Sequence, residues 1–305
     1  MNKKSLIGNG MLLLTAFIWG TAFVAQRVGM DHIEPFTFGA SRYVLATLVL
    51  IPIILFFDGR QKKASDYVEP SPEQKTAQNS HTLKGGLLCG LALFVASSLQ
   101  QIGIQYTSAG KTAFITALYI VLVPVFGLFL RKKVSWLTWI GVALSAVGLY
   151  LLCIKEGFSI EYGDFIVFLC AICFAVHILC CDHFTDKADP LKLSFLQFAT
   201  CCILSWIAAF ATETPTISGI VAAGFAIFYC GVFSAGVGYT LQMVAQKDTD
   251  PTIASLVLSL ESVFGALGGY FLLHEVLATK ELIGCIVMFA AIIVAQVPLP
   301  AKKTE

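Results

Sequence analysis

Two charged side chains sit in stretches that are otherwise apolar: Glu261 within LSLESVFGALGGYFLL and Arg42 within PFTFGASRYVLATLVL. A charge surrounded by hydrocarbon is costly unless it meets a partner or a watery cavity. Two chemistries answer that cost here: Glu261 could take part in proton coupling, or Glu261 and Arg42 could form a buried ion pair. His177, in CFAVHILCC, is a third ionisable group at depth and a candidate for substrate or proton contact. Trp19, Gln26, Gln101, Tyr119 and Tyr239 add aromatic faces, amides and hydroxyls within apolar stretches, the mixture that orients a small organic ligand.

Spacing predicts where these groups point. Thr15, Trp19, Ala22 and Gln26 lie on one helical stripe, and a shift of 155 positions carries them to Cys170, Phe174, His177 and Cys181. If both helices line one cavity, Trp19, Gln26 and His177 point into it together. Thr112, Thr116 and Tyr119 form a second stripe, which a shift of 143 carries to Ser255, Ser259 and Ser262. At about 100° per residue, Glu261 falls on another side of its helix from those serines, on a face with Gly265 and Gly268. It is expected to share the cavity wall with them only in part. Cys170, Cys173, His177, Cys180, Cys181, Asp182 and His183 are soft ligands along one helix, so passage of a thiophilic metal ion is an alternative function. Four ligands on one straight helix cannot surround an ion, and no metal site is expected. No cofactor is expected either.

These residues need membrane-spanning helices to hold them. Of 305 residues 57% are apolar and 13% charged, against about 25% charged in a soluble domain. Ten runs approach the roughly 20 residues that span a bilayer: Ile7–Val28, Pro35–Phe57, Leu83–Gln105, Ser108–Leu130, Trp136–Cys153, Tyr162–Cys181, Leu191–Ala211, Gly219–Val244, Pro251–Leu273 and Glu281–Val297. The N-terminal run reads as a retained first helix without a cleavage site. Asp58–Thr82, with two prolines and clustered polar residues, reads as a flexible loop. The ten cysteines all lie in or beside apolar runs and read as small packing residues rather than a disulfide framework.

The runs repeat. Leu130, Ile140 and Gly141 match Leu273, Ile283 and Gly284 at an offset of 143, and Gly8, Ala16 and Pro35 match Gly163, Ala171 and Pro190 at 155. Residues 1–155 and 156–305 are thus two five-helix copies, and five being odd, the second enters the membrane from the opposite side. Charge agrees with that reading. With the N-terminus inside, fifteen Lys and Arg fall in inner segments, while only Arg27, Lys111, Lys155 and Lys280 fall outside. Basic residues accumulate on the cytoplasmic side, which predicts cytoplasmic termini. It also puts the elbow at Arg131, Lys132 and Lys133 on the opposite side from its counterpart at His274, Glu275 and Val276. Inverted repeats suit alternating access, in which a site between two similar halves opens to each side in turn.

AFIWGTAFVAQ, PFTFGASRYVLATLVL, QQIGIQYTSAGKTAFITALYIVLVPVFGLFL, WIGVALSAVGLYLL, GDFIVFLCAICFAVHIL and LSLESVFGALGGYFLLHEVL, taken together, resemble the drug/metabolite transporter superfamily in its ten-helix EamA-type branch. The resemblance covers nearly the whole chain. It implies an all-α integral membrane protein of ten transmembrane helices in two inverted repeats, with a cavity lined mainly by the first, third, fourth, sixth, eighth and ninth. It also implies export or uptake of small metabolites, without fixing the substrate; the function expected for this chain is secondary transport, with export favoured, of solutes such as amino acids or related organic compounds. Relatives often carry proline after the glutamate of the ninth helix, where this chain has Ser262. The expected setting is the cell membrane, with a small-molecule substrate, lipid and protons as partners, no nucleic acid, and a monomer or homodimer as the working unit. No catalytic constellation or phosphate-binding loop can be assembled, so catalysis is not expected. A non-transporting sensor or scaffold is the remaining alternative.

Overall fold

A computed structural model describes residues 3–62, 69, 71–132, 134–153, 161–273 and 278–297. Among them every regular element is helical. In chain order they begin with α1 (Lys3–Gly29), α2 (Pro35–Lys62), α3 (Pro72–Gly103), α4 (Ala109–Thr116), α5 (Tyr119–Phe129) and α6 (Trp136–Cys153). Then come α7 (Tyr162–Thr185), α8 (Pro190–Thr212), α9 (Ile217–Ala222), α10 (Gly224–Phe228), a π-helical stretch (Tyr229–Tyr239), α11 (Thr240–Gln246), α12 (Pro251–Leu258), α13 (Glu261–Leu273) and α14 (Thr279–Ala295). Among the described residues seven helical stretches are long and apolar enough to cross a membrane, and Trp136–Leu152 and Pro251–Leu267 are shorter apolar helices. The chain is a multi-pass membrane protein.

Local chemistry sets the helix starts. Asp189 accepts from the backbone N–H groups of Leu191 and Lys192, and Asp250 from that of Thr252, each followed by a proline at the first helical position. Glu213, at the end of α8, caps α2 from outside: its carboxylate accepts from Phe36 N, Thr37 N and Thr37 Oγ1, all at 2.7 Å.

The polar stretch Asp58–Thr82 departs from its loop reading. Residues 63–68 and 70 lie outside the described residues, but α2 runs on to Lys62 and α3 begins at Pro72. Ser71 and Gln74 form a reciprocal capping box there, with Pro72 beside them, and this starts a helix regardless of polar composition. Three expected single helices are also interrupted. The fourth run breaks between α4 and α5, the ninth between α12 and α13, and the eighth is built from α10, the π stretch and α11.

The helices pack in reciprocal pairs. α6 lies antiparallel on α14: a Cβ on Gly141 would come 2.6 Å from Ala295 Cβ and 2.9 Å from Ala291 O, and one on Gly284 would come 2.6 Å from both Gly148 O and Leu152 N. Positions 141 and 284, 148 and 291, and 152 and 295 each differ by the repeat offset of 143. α2 and α8 do the same at their ends, with Glu213 on Thr37 and Lys192 Nζ 3.0 Å from Asp58, all four related by 155. Gly8 fits against Thr249 and Ala245 as Gly163 fits against Tyr106 and Gly103.

α5 ends in a left-handed turn. Arg131 has φ 60°, with Lys132 N bonding to Gly127 O and Arg131 N to Leu128 O, the cap geometry that glycine fills without steric cost. Replacing Arg131 with glycine should raise stability by about 1 kcal/mol. A thermal midpoint a few degrees higher in detergent is the readout, and an unchanged or lower midpoint would contradict it.

Candidate functional site

The two helix breaks meet in the middle of the protein. In the first, Leu118 N bonds to Ile115 O and Ile120 N to Ala117 O, tightening the chain to three-residue turns; in the second, Leu260 N bonds to Val257 O and Ser262 N to Ser259 O. The causes are local. Pro124 removes one backbone donor from α5, while Ser255 and Ser259 turn their hydroxyls back onto the carbonyls of Thr252 and Leu256, at 2.8 and 2.7 Å, a bond that bends helices. Tyr119 opens α5 and Glu261 opens α13. Tyr119 donates its hydroxyl to Glu261 Oε1 at 2.9 Å, and Ser262 donates to Ala113 O at 3.2 Å.

The third irregular element supplies the facing wall. Tyr229–Tyr239 holds Gly231, Gly236 and Gly238, and its widened turns turn carbonyls toward α1. Trp19 Nε1 donates to Ser234 O at 3.0 Å and Thr15 Oγ1 to Gly238 O at 3.2 Å. Gly238 is required because a Cβ there would stand 2.5 Å from Trp19 Nε1. Trp19 packs on Tyr239 with ring centroids 4.5 Å apart.

Between these walls lies a cavity of about 30 Å³, room for about one or two waters. Trp19 and Gln26 enter it from α1, Arg42 from α2, Gln100 from α3, and Tyr119 and Glu261 from the two breaks. Phe174, Ser234 and Tyr239 are also among its lining residues. Arg42 is 5% exposed and Glu261 2%. Arg42 Nη1 donates to Gln26 Oε1 and Nη2 to Tyr43 Oη, both at 3.3 Å. Thus the hydrogen-bond partner that Glu261 finds is Tyr119, and Arg42 turns to Gln26.

The structure brings together six of the eight residues picked out in the sequence: Trp19, Gln26, Arg42, Tyr119, Tyr239 and Glu261. The other two stand behind the wall. His177 Nε2 pairs with Gln197 Oε1 at 3.0 Å, Cys181 Sγ lies 3.4 Å from the same nitrogen, and the His177 ring meets Tyr239 edge-on at 5.8 Å. Gln101 Nε2 donates to the backbone carbonyl of Gln26 at 3.2 Å. Its neighbour Gln100 faces the cavity instead, bonded to Thr116 Oγ1 at 3.2 Å. The polar doublet Gln100-Gln101 was the available signal, but a run that is apolar on most sides does not say which of two neighbours faces inward. Glu261 lines the cavity while Ser255, Ser259 and Ser262 do not, their hydroxyls turning to the carbonyls of Thr252, Leu256 and Ala113.

α4 and α5 are clamped to α7 at both ends. Lys111 Nζ lies 3.2 Å from Asp164, which also accepts from Thr107 at 2.6 Å, and Lys132 pairs with Asp182. Among the described residues no group of three or more His, Cys, Asp and Glu converges as a metal site would require. The α7 cysteines disperse, Cys170 into the core and Cys181 onto His177.

A family model described as the EamA-like transporter family matches residues 6–154 and 161–296. An uncharacterized transporter of Archaeoglobus fulgidus is 29% identical over 95% of this chain and 86% of its own. The uncharacterized transporter YoaV of Bacillus subtilis is 21% identical over 92% and 94%. The WAT1-related protein At3g02690, chloroplastic, of Arabidopsis thaliana is 24% identical over 94% of this chain and 69% of its own. A solved crystal structure superposes with a TM-score of 0.72 over 96% of each chain at 17% identity, a likeness of fold alone.

Proposed function

The chain belongs to the EamA-like transporter family, and on that premise we propose that it is a secondary exporter of small organic solutes, amino acids or their relatives, working by alternating access. Its ten spans form two inverted halves, residues 1–155 and 156–305, in the cell membrane with both termini in the cytoplasm. The central cavity is the solute site, and Glu261 its proton-responsive group.

One observation carries this reading: equivalent helices of the two halves pack antiparallel through equivalent residues. Gly141 sits on Ala291 and Ala295 as Gly284 sits on Gly148 and Leu152. Copies related by a two-fold axis can pack in this way only if the axis lies across the helices, hence within the bilayer plane. Such halves can exchange conformations around a site between them. The cavity's position is consistent with that, since its walls come from both halves and from the breaks in both. At about 30 Å³ it is far below the 300 Å³ or more of a ligand-filled pocket, so solute entry requires the halves to part on one side.

Comparative metabolite profiling of cells lacking and overproducing the protein tests the function. A solute that accumulates in the first and is depleted in the second names an exported cargo. No solute moving oppositely in the two would overturn the transport reading. Reporter fusions test the topology: Lys132 and Glu275 are expected on opposite faces of the membrane, and a shared face ends the inverted arrangement.

A further inference from the structure

The cavity holds a cation that its surroundings leave largely unanswered. Arg42 is buried, and among the described residues no carboxylate lies within ion-pair distance of its guanidinium. Its two acceptors, Gln26 Oε1 and Tyr43 Oη, are neutral and 3.3 Å away, longer than the roughly 2.7–2.9 Å of a charge-assisted bond. Among the described residues Nε finds no acceptor. The rings of Phe38 and Tyr43 lie 5.5 and 4.9 Å from the guanidinium carbon, which softens the charge but takes none of its forward N–H groups. A guanidinium has five such donors in a rigid fork, and only two are used here. Burying a cation this way is costly without a counter-charge.

We infer that Arg42 is the docking point for a carboxylate of the transported solute, whose apolar body lies against Trp19, Phe174 and Tyr239. This rests on the transport reading of the same cavity. A single fork matches the two oxygens of one planar carboxylate. A dianionic phosphate fits poorly, because the lining brings no second cation and Glu261 shares the wall. An amino acid and a simple organic acid both offer the required group. They differ in whether an ammonium also meets Glu261.

The thermal midpoint of the purified protein is measured with millimolar monocarboxylates from acetate to phenylpropionate, with phenylalanine, and with phenethylamine, which keeps the ring but lacks the carboxylate. Phenylpropionate or phenylalanine is expected to raise the midpoint, and phenethylamine is not. Protection by phenylalanine alone identifies an amino-acid site, and protection by phenylpropionate as well a broader organic-acid site. Arg42→Gln should remove the response, and Arg42→Lys should weaken it at least about tenfold, because an ammonium cannot fork. Gln26→Glu offers a check that does not depend on losing the arginine. It places a carboxylate where Nη1 already points, and is expected to raise the midpoint without ligand while abolishing the response to carboxylates. Equal protection by phenethylamine, no response to any carboxylate, or a carboxylate response unchanged in Arg42→Gln would each overturn the proposal. Transport of an uncharged or cationic solute into liposomes would overturn it too, yet leave the transport function standing.

Discussion

Gly284→Leu is expected to lower the thermal midpoint of the protein by about 6 °C or more, from an overpacking cost near 3 kcal/mol at about 2–4 °C per kcal/mol. A Cβ at 284 would sit 2.6 Å from Gly148 O, 2.6 Å from Leu152 N and 3.0 Å from Leu152 Cα. All three are backbone atoms, so no side chain can swing aside and α6 and α14 must separate. Alanine already supplies the clashing atom, and leucine adds volume that the gap cannot hold. Gly10→Leu on α1 is the matched control. Nothing lies within 4 Å of its would-be Cβ, so its effect should stay within about 0.5 kcal/mol. Gly148→Leu should behave like Gly284→Leu, because its Cβ would stand 2.9 Å from Gly284 O. The double variant should cost clearly less than the sum of the two, since parting the helices once accommodates both side chains. Strict additivity would mean that the two glycines serve separate contacts.

Those glycines show how much was legible beforehand. The duplication that aligns Gly141 with Gly284, and Gly8 with Gly163, is a matter of residue identity at fixed offsets. Each of these positions proved to be a close helix approach. The apolar runs were legible for the same reason, because lipid demands length and hydrophobicity from every span. What stayed hidden was departure from the ideal helix. Projecting side chains at 100° per residue assumes an unbroken α-helix, and that failed where the site is built: at Leu118, at Leu260 and through Tyr229–Tyr239. Gln101 was chosen over Gln100 by a single residue of register. His177 was placed by copying the direction of Ala22, yet Gln197 on α8 offers it an amide oxygen at 3.0 Å. Ser71 to Gln74 was different: its capping-box pattern is legible in the residues themselves, and the loop reading rested on polar composition alone.

Glu261→Gln is expected to leave the protein folded and to cut gradient-driven transport to below about a tenth of the wild-type rate, because an amide cannot bind and release the coupling proton. Glutamine fills the same volume, and its amide oxygen can still accept the Tyr119 hydroxyl, so α5 and α13 remain joined at the breaks. What it lacks is a group that can gain and lose a proton. In proteoliposomes loaded with the cargo found by metabolite profiling, exchange of labelled for unlabelled solute should therefore persist in Glu261→Gln. Accumulation driven by a proton gradient should fail. Tyr119→Phe separates the two roles of the pair: it keeps the carboxylate, removes its donor, and should slow both processes together by about tenfold. If Glu261→Gln instead kept both its gradient-driven rate and the wild-type pH profile, the carboxylate would serve only to hold two half-helices together. Proton coupling would then have to be sought elsewhere, because Glu261 is the only carboxylate among the described residues that line the cavity.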